Sequence, residues 1–299
     1  AKQFFLGQAS NTMGEEAATA LAGALDIDIK TTTTGNGKNF EVKVGSNYNL
    51  ALTPLMGMFG YSTMNIATNG TSKSGTSETR SALSMTLLLD ESGSMLADTE
   101  VEISPRKECA HYNINGGYIG WWAPCMVKKI EALETAANLL LDQLDEADPK
   151  SEFVRTSAIN WSSSVQESSK LAWGTANTRN KVIKKLDGGG GTESSAPMKK
   201  AYEALTRTDQ DSEEQIHFRE KKNKKIQKYI VFMTDGNNNN TSSDTATLAT
   251  CEAAKKENII IYSVAFMAPS RGQNLLKECA TGSERYYKAE SMEDLVEAF

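Results

Sequence analysis

No stretch of the chain approaches the roughly 18–20 consecutive apolar residues that a spanning helix requires, and its start lacks the basic-then-apolar pattern of a secretion signal. As given, the chain reads as soluble, and because it begins at Ala1 without a methionine it reads as a processed or truncated product with an unseen preceding segment. It also lacks an excess of basic residues: 32 Lys and Arg stand against 38 Asp and Glu, a net charge of -6. A surface built to neutralise phosphates needs clustered cations in net excess, which makes nucleic acid a poor partner. The one basic run, Lys221-Lys222-Asn223-Lys224-Lys225, follows an acidic stretch from Asp209 to Glu214 and precedes an apolar strand, so it reads as a solvated loop. Histidine is limited to His111 and His217, and none of the cysteines stands in CxxC spacing, which argues against zinc. There is no internal repeat, and the low-complexity tract Asn237 to Asn240 is short enough to be a loop.

What is present fits a folded chain of two unequal parts, since 299 residues exceed what one core usually holds. A hydrophobic content of 39% and a charged content of 23% are ordinary for a globular protein. The four cysteines form two locally spaced pairs, Cys109 with Cys125 and Cys251 with Cys279. A crosslink between the first two would remove about 3 kcal/mol of loop entropy from the unfolded chain. Such pairing points to an oxidising compartment; four reduced thiols in a cytosolic protein is the alternative.

Residues 1–80 read as a small α+β module. Ala1 to Leu25 is expected to be helical, rich in Ala and Leu after Glu15. A turn cluster from Thr31 to Gly37, followed by alternation at Phe40, Val42 and Val44, signals a hairpin. Leu50 to Phe59 is a short helical candidate and Ser62 to Thr71 a strand. From residue 81 to 299 strands and helices alternate. Runs such as Tyr229-Ile230-Val231-Phe232-Met233 and Ile259 to Val264 have few polar interruptions, as strands buried on both faces do. The expected fold is therefore α/β, a doubly wound, mostly parallel sheet covered by helices. Residues 96–127 interrupt it as an inserted loop.

The chemistry lies at strand ends. Leu87-Leu88-Leu89-Asp90-Glu91-Ser92-Gly93-Ser94 is a buried strand that runs out into a carboxylate and two hydroxyls at alternate positions. Val231-Phe232-Met233-Thr234-Asp235-Gly236 ends likewise, and Gly188 to Gly191 deliver Thr192 from a loop where the backbone can approach closely. Open α/β sheets bind ligands at the carboxyl ends of their strands, and hard oxygens there suit magnesium, with manganese or calcium as alternatives. Simple helix capping would account for Asp90 and its serines but not for the other two loops.

Together, Asp90-x-Ser92-x-Ser94, Thr192 after its glycines and Thr234-Asp235-Gly236 resemble the metal-ion-dependent adhesion site of von Willebrand factor A domains. The resemblance implies that Ser92, Ser94 and Thr192 ligate the ion directly and that Asp90 and Asp235 act through water. It implies metal-dependent recognition of a protein partner that offers an acidic side chain, and not catalysis. The Ala-rich start, the small strand-rich segment, the late cysteines and the closing helix further resemble bacterial TadE/TadG-like proteins of tight-adherence (Flp) pilus assembly. This implies pilins or other assembly components as partners, and a periplasmic or cell-surface site anchored through a membrane helix upstream of Ala1. In the inserted loop, Tyr118, Trp121 and Trp122 are candidate partner-binding aromatics, with a small satellite core as the alternative. Two further readings stand beside this one. A metal-assisted hydrolase would need a base among Glu91, Glu193, His111 and His217. An intracellular A-domain partner of an ATPase would require reduced cysteines.

Overall fold

The computed structural model describes residues 23–34, 37–51, 63–77, 81–208 and 212–298. The chain divides into two compact units, Ala1–Arg80 and Ser81–Phe299.

In the first unit three antiparallel strands are described: β1 (Leu25–Thr34), β2 (Gly37–Ala51) and β3 (Thr63–Ser77), in that order in the sheet. The β1–β2 pair is the hairpin expected from the turn cluster, with Thr34 opposite Gly37. One expectation changes here. Leu50 and Ala51, assigned to a helix, belong to β2, because pairing with Met64 and Thr63 of β3 extends the strand through them; 52–59 lie outside the described residues. The helix expected over Ala1 to Leu25 lies almost wholly outside them too, and Leu25 already begins β1.

The second unit is built on β4 (Ala82–Asp90), β9 (Val154–Trp161), β12 (Ile226–Thr234), β13 (Ile259–Phe266) and β14 (Tyr286–Ala289), all parallel. With β10 (Val165–Ser168) at its edge, the sheet order is β10-β9-β4-β12-β13-β14. Two short antiparallel strands, β10 and β11 (Ala172–Trp173), both pair with β9. The doubly wound sheet is thus present, and its alternation of faces follows from the strand period of two. Leu87, Leu89, Val231, Met233, Val264 and Phe266 face one side. There they meet Ile130, Leu133, Ala136 and Leu141 of α1 (Lys129–Ala147) and Leu295 of α7 (Met292–Ala298). Leu88, Ile230, Phe232 and Ile261 face the other. Their partners are Met198 and Leu205 of α3 (Ser195–Leu205), Cys251 of α5 (Thr241–Lys256) and Leu276 of α6 (Ser270–Cys279). The Cys251–Cys279 bridge joins α5 to α6 inside this second core. A further short helix, α2 (Ala176–Lys181), follows β11.

The chain leaves β4 toward β9 on one side and later returns through β12 on the other, so the sheet has its switch point at β4. Ligands of open α/β sheets bind in the crevice outside the carboxyl ends of strands at that point. Met233 lies beside Leu89 in the register, which brings Thr234 and Asp235 next to Asp90.

Candidate metal centre and the loops around it

Asp90 is fully buried and Asp235 nearly so. Thr234 Oγ1 donates to Asp90 Oδ2 at 2.5 Å, and the Ser92 backbone N–H donates to Asp90 Oδ1 at 2.7 Å. Ser94 Oγ donates to Asp235 Oδ1 at 2.7 Å and lies 3.1 Å from Ser92 Oγ. The glycine-rich loop is stitched onto this loop by backbone bonds, Gly93 N to Gly190 O at 2.9 Å and Gly189 N to Glu91 O at 2.7 Å. Gly190 has φ +80, a left-handed conformation that a side chain resists, and a Cβ there would stand 3.0 Å from Ser162 Oγ. Asn239, in the loop after β12, holds Thr192 from both sides: its Oδ1 accepts from Thr192 N at 3.2 Å and its N donates to Thr192 O at 2.9 Å. A Cβ on Gly236 would lie 3.3 Å from Thr192 Oγ1 and 3.6 Å from Ser94 Oγ, so hydroxyls from two loops flank one point beside Asp235.

The electrostatics of this cluster are unbalanced. Two buried carboxylates face each other with one ammonium, Lys129 Nζ, 2.9 Å from Asp235 Oδ2. Burial, and then the Asp235 charge, push Asp90 up to about 7. Burial likewise raises Asp235, although Lys129 pulls it the other way. Among the described residues no group of three or more His, Cys, Asp or Glu gathers in metal-binding fashion. A donor set of two carboxylates and three hydroxyls, short of one positive charge, is all oxygen and suits a hard divalent cation.

A family model for the von Willebrand factor type A domain matches residues 126–299, more than half of the chain. The chain belongs to that family. The matched span starts at Met126, so β4 and the Asp90 loop precede it; the inserted segment separates them in sequence, while the sheet pairs β4 with β9 and β12. No curated protein matches the sequence significantly. Among solved structures, the A domain is similar to those of bacterial pilus proteins. The pilus adhesin SpaC from Lactobacillus rhamnosus GG is matched with TM-score 0.53 at 13% identity over 92% of this chain and 33% of that one. The vWF domain of the type V pili tip protein Mfa5 from Porphyromonas gingivalis is matched with TM-score 0.53 at 12% identity, over 73% and 92%. A mutant of the PilB minor pilin from Streptococcus sanguinis is matched with TM-score 0.50 at 12% identity, over 92% and 76%. At such identities the likeness is one of fold, and the chain spans about a third of SpaC.

In this A domain the inserted segment is folded. Its strands β5 (Asp98–Glu102) and β8 (Met126–Lys128) pair at the base, and β6 (Cys109–Tyr112) and β7 (Tyr118–Trp122) form a hairpin above them. The Cys109–Cys125 bridge ties the hairpin to that base. His111 is buried between Asp98, 2.5 Å from Nδ1, and the Trp122 carbonyl, 3.1 Å from Nε2, and its ring stacks on Trp122 at 4.1 Å. Tyr118 and Trp121 are each 62% exposed and Trp122 42%, so the hairpin aromatics form a surface with one stacked exception, not a satellite core. The turn between the strands packs on the Asp90–Ser94 loop: Gly116 has φ +77, and a Cβ there would fall 1.8 Å from Gly93 O. As a result Ile114 and Asn115 join Ser94, Thr192, Asp235 and the Met267–Pro269 segment around a cleft of about 580 Å³. Sequence reasoning missed Ile114 and Asn115, because nothing in a turn sequence says where it will lean.

The candidate bases sit elsewhere or are occupied. Glu91 accepts from Asn160 Nδ2 at 2.6 Å and Asp187 N at 3.3 Å, and burial pushes it up to about 7. Glu193 accepts from Ser243 Oγ at 2.6 Å and Ser195 N at 2.8 Å; burial would raise it, but these hydrogen bonds outweigh burial and lower it. His217 lies at the opposite end of β4, on α4 (Glu213–Lys221), a helix the sequence reading passed over as an acidic and then basic loop. There Asn223 Nδ2 donates to His217 Nδ1 at 3.2 Å, which leaves Nε2–H to donate to Ser84 Oγ at 3.0 Å. Ser84 in turn donates to Glu213 at 2.6 Å, and Arg155 pairs with Glu213 at 2.9 Å. The proton order is the reverse of what a histidine base needs, and all the groups are buried.

Proposed function

We propose that this A domain is a recognition module that holds a divalent cation, magnesium before manganese or calcium, and through it takes an acidic side chain of a protein partner. Residues 81–299 form the A domain with its insertion at 96–127, and residues 1–80 a separate module. Ser92, Ser94 and Thr192 would hold the ion, with Asp90 and Asp235 behind them acting through water. The observation that carries the reading is the convergence of these five side chains from three loops at the switch point, with one carboxylate charge uncompensated. When bound, the cation supplies a positive centre, incompletely neutralised by hydroxyl ligands, for an incoming carboxylate. The chain's part is to orient the hydroxyls through the Asp90, Asp235 and Asn239 bonds, and to shape the approach with Ile114, Asn115 and the exposed Tyr118, Trp121 and Trp122.

The pilus proteins with the same fold support a role in bacterial adhesion or pilus assembly, with pilins or other assembly components as partners. The TadE/TadG-like resemblance narrows this to a tight-adherence pilus, on the periplasmic or cell-surface side, anchored through a preceding membrane helix. Two disulfides favour such an oxidising compartment over an intracellular ATPase partner. Glu91 Oε2 and both oxygens of Glu193 are committed to other groups, which favours recognition over hydrolysis.

Calorimetric titration of Mg²⁺ and Mn²⁺ into metal-stripped protein, beside Asp90→Ala, tests the reading. Saturable binding that disappears in the variant, followed by capture of acidic peptides only in the loaded form, is the expected result. Absence of binding by the unaltered protein would remove the metal from the account.

A further inference from the structure

The buried lysine behind the metal loop is the feature that the reading above does not use. Lys129 is the first residue of α1, with its side chain 2% exposed, and its ammonium meets Asp235, whose side chain is 0% exposed. The position is a costly one for a cation. The first turn of a helix already presents the positive end of the backbone dipole, and a lysine there loses its hydration on burial. Its neighbours in the helix, Ile130 and Leu133, are core residues, and an apolar side chain would serve packing as well. What the ammonium gains among the described residues is one contact, 2.9 Å to Asp235 Oδ2, across 106 residues of sequence. Asp235 offers its other oxygen to Ser94 Oγ, so Lys129 fixes the carboxylate that orients a candidate ligand. Lys129 does not line the cleft and cannot touch a partner; whatever it does, it does through Asp235.

We propose that Lys129 is a positioning residue of the metal centre, a resident cation that keeps Asp235 and Ser94 in place without the ion and holds the ion's affinity down. The inference rests on the metal-binding reading. Once Asp90 has given up its proton to admit the ion, Asp90 and Asp235 supply two negative charges and Lys129 returns one, so the bound divalent cation sits in a field of one net charge where it would otherwise have two. At the short separations inside one buried cluster, a unit charge is worth tenfold or more in an equilibrium constant even with a generous effective dielectric. The consequence is a site that empties and refills as external divalent concentration changes and does not collapse in between.

The test uses the full chain, with Lys129→Gln and Lys129→Met beside the unaltered protein. Glutamine keeps a hydrogen-bond donor near Asp235 without the charge, and it carries the test if the methionine variant does not fold. Mn²⁺ affinity is read by calorimetry, and thermal midpoints are read in chelator and in excess Mn²⁺. Both variants are expected to bind Mn²⁺ at least about tenfold more tightly, to melt lower in chelator and to gain more from the ion. A tighter site is a gain that a merely structural lysine would not produce on removal. Heat of binding in the variants alone would support the proposal. Unchanged or weaker Mn²⁺ binding in Lys129→Gln, with the unaltered protein binding normally, would overturn the role of Lys129 and leave the metal site standing. Mn²⁺ binding by none of the three proteins would overturn the metal reading, and this inference with it.

Discussion

The Thr234 hydroxyl donates a 2.5 Å hydrogen bond to Asp90 Oδ2, joining the ends of two neighbouring strands across 144 residues of sequence. Thr234 also accepts from Gly236 N at 3.1 Å, so one hydroxyl holds the Asp90 carboxylate and the turn that carries Asp235. Thr234→Val keeps the volume and removes the donor to a buried carboxylate. Chelator-treated protein is expected to lose about 1–3 kcal/mol of stability in urea unfolding. A loss within experimental error would mean that this bond does not hold the loops.

In the proposed metal site, Asp90 would make binding dependent on pH. Its folded-state value of about 7 lies above the ordinary 3.8 of an aspartate, so the folded protein keeps a proton through that window that the unfolded chain releases. Stability of the metal-free protein from this group therefore falls as pH rises from about 4 to 7, with the cost complete above about 7. A cation must displace the same proton, so apparent Mn²⁺ affinity is expected to rise about tenfold between pH 6 and 8. Calorimetry in two buffers of different ionisation heat checks both the trend and the proton release. An affinity independent of pH would show that Asp90 is ionised throughout.

His217 works in the opposite sense. Burial, and then the Arg155 charge, push it down to about 4 from 6.5. The unfolded chain takes up this proton below about 6.5 and the folded protein only near 4, so the group subtracts stability as pH falls through that interval. Protonation would also cost Nδ1 its role as acceptor from Asn223. His217→Gln is expected to flatten the acid limb of the stability profile between pH 6.5 and 4, measured by urea midpoints. An acid limb identical to that of the unaltered protein would place its origin elsewhere.

Two substitutions in the inserted hairpin should separate. Trp121 is exposed, and Trp121→Ala is expected to leave stability within about 0.5 kcal/mol. Gly116 adopts φ +77 against the Gly93 carbonyl, and Gly116→Ala is expected to cost about 1–3 kcal/mol and to disturb Mn²⁺ binding through the Gly93–Ser94 loop. Equal melting curves for the two variants would show that the turn does not pack on the Gly93–Ser94 loop.

Much of this molecule is written in its local sequence. Strands buried on both faces carry unbroken apolar runs, as Ile230 to Met233 do, and helices that cover them carry one apolar stripe, as Ile130, Leu133 and Leu141 do. The placement of the oxygen-bearing residues could be read for a related reason: a carboxylate or hydroxyl that directly follows a buried strand must emerge at the sheet's carboxyl edge. Helix α4 could not be read this way. It is short and charged, and it turns Glu213 and His217 inward to meet Arg155 and Ser84, so the polar residues that signal a loop are its buried face. The antiparallel β10 and β11 were also missed, being too short to show a period.

The sequence by itself determined the layered α/β sheet, the three oxygen-bearing loops at its edge and the local spacing of the cysteines, because each depends on residues near one another in the chain. Tertiary structure alone decided that Lys129 would be the counter-ion of Asp235, that the Gly116 turn would lean on Gly93 and put Ile114 beside the cleft, and that Ser84, Glu213 and His217 would meet. A pattern of polar and apolar residues records which groups are buried. It does not record with whom a buried charge is paired, since that depends on the crossing of segments far apart in the chain, 106 residues for Lys129 and Asp235 and 58 for Arg155 and Glu213.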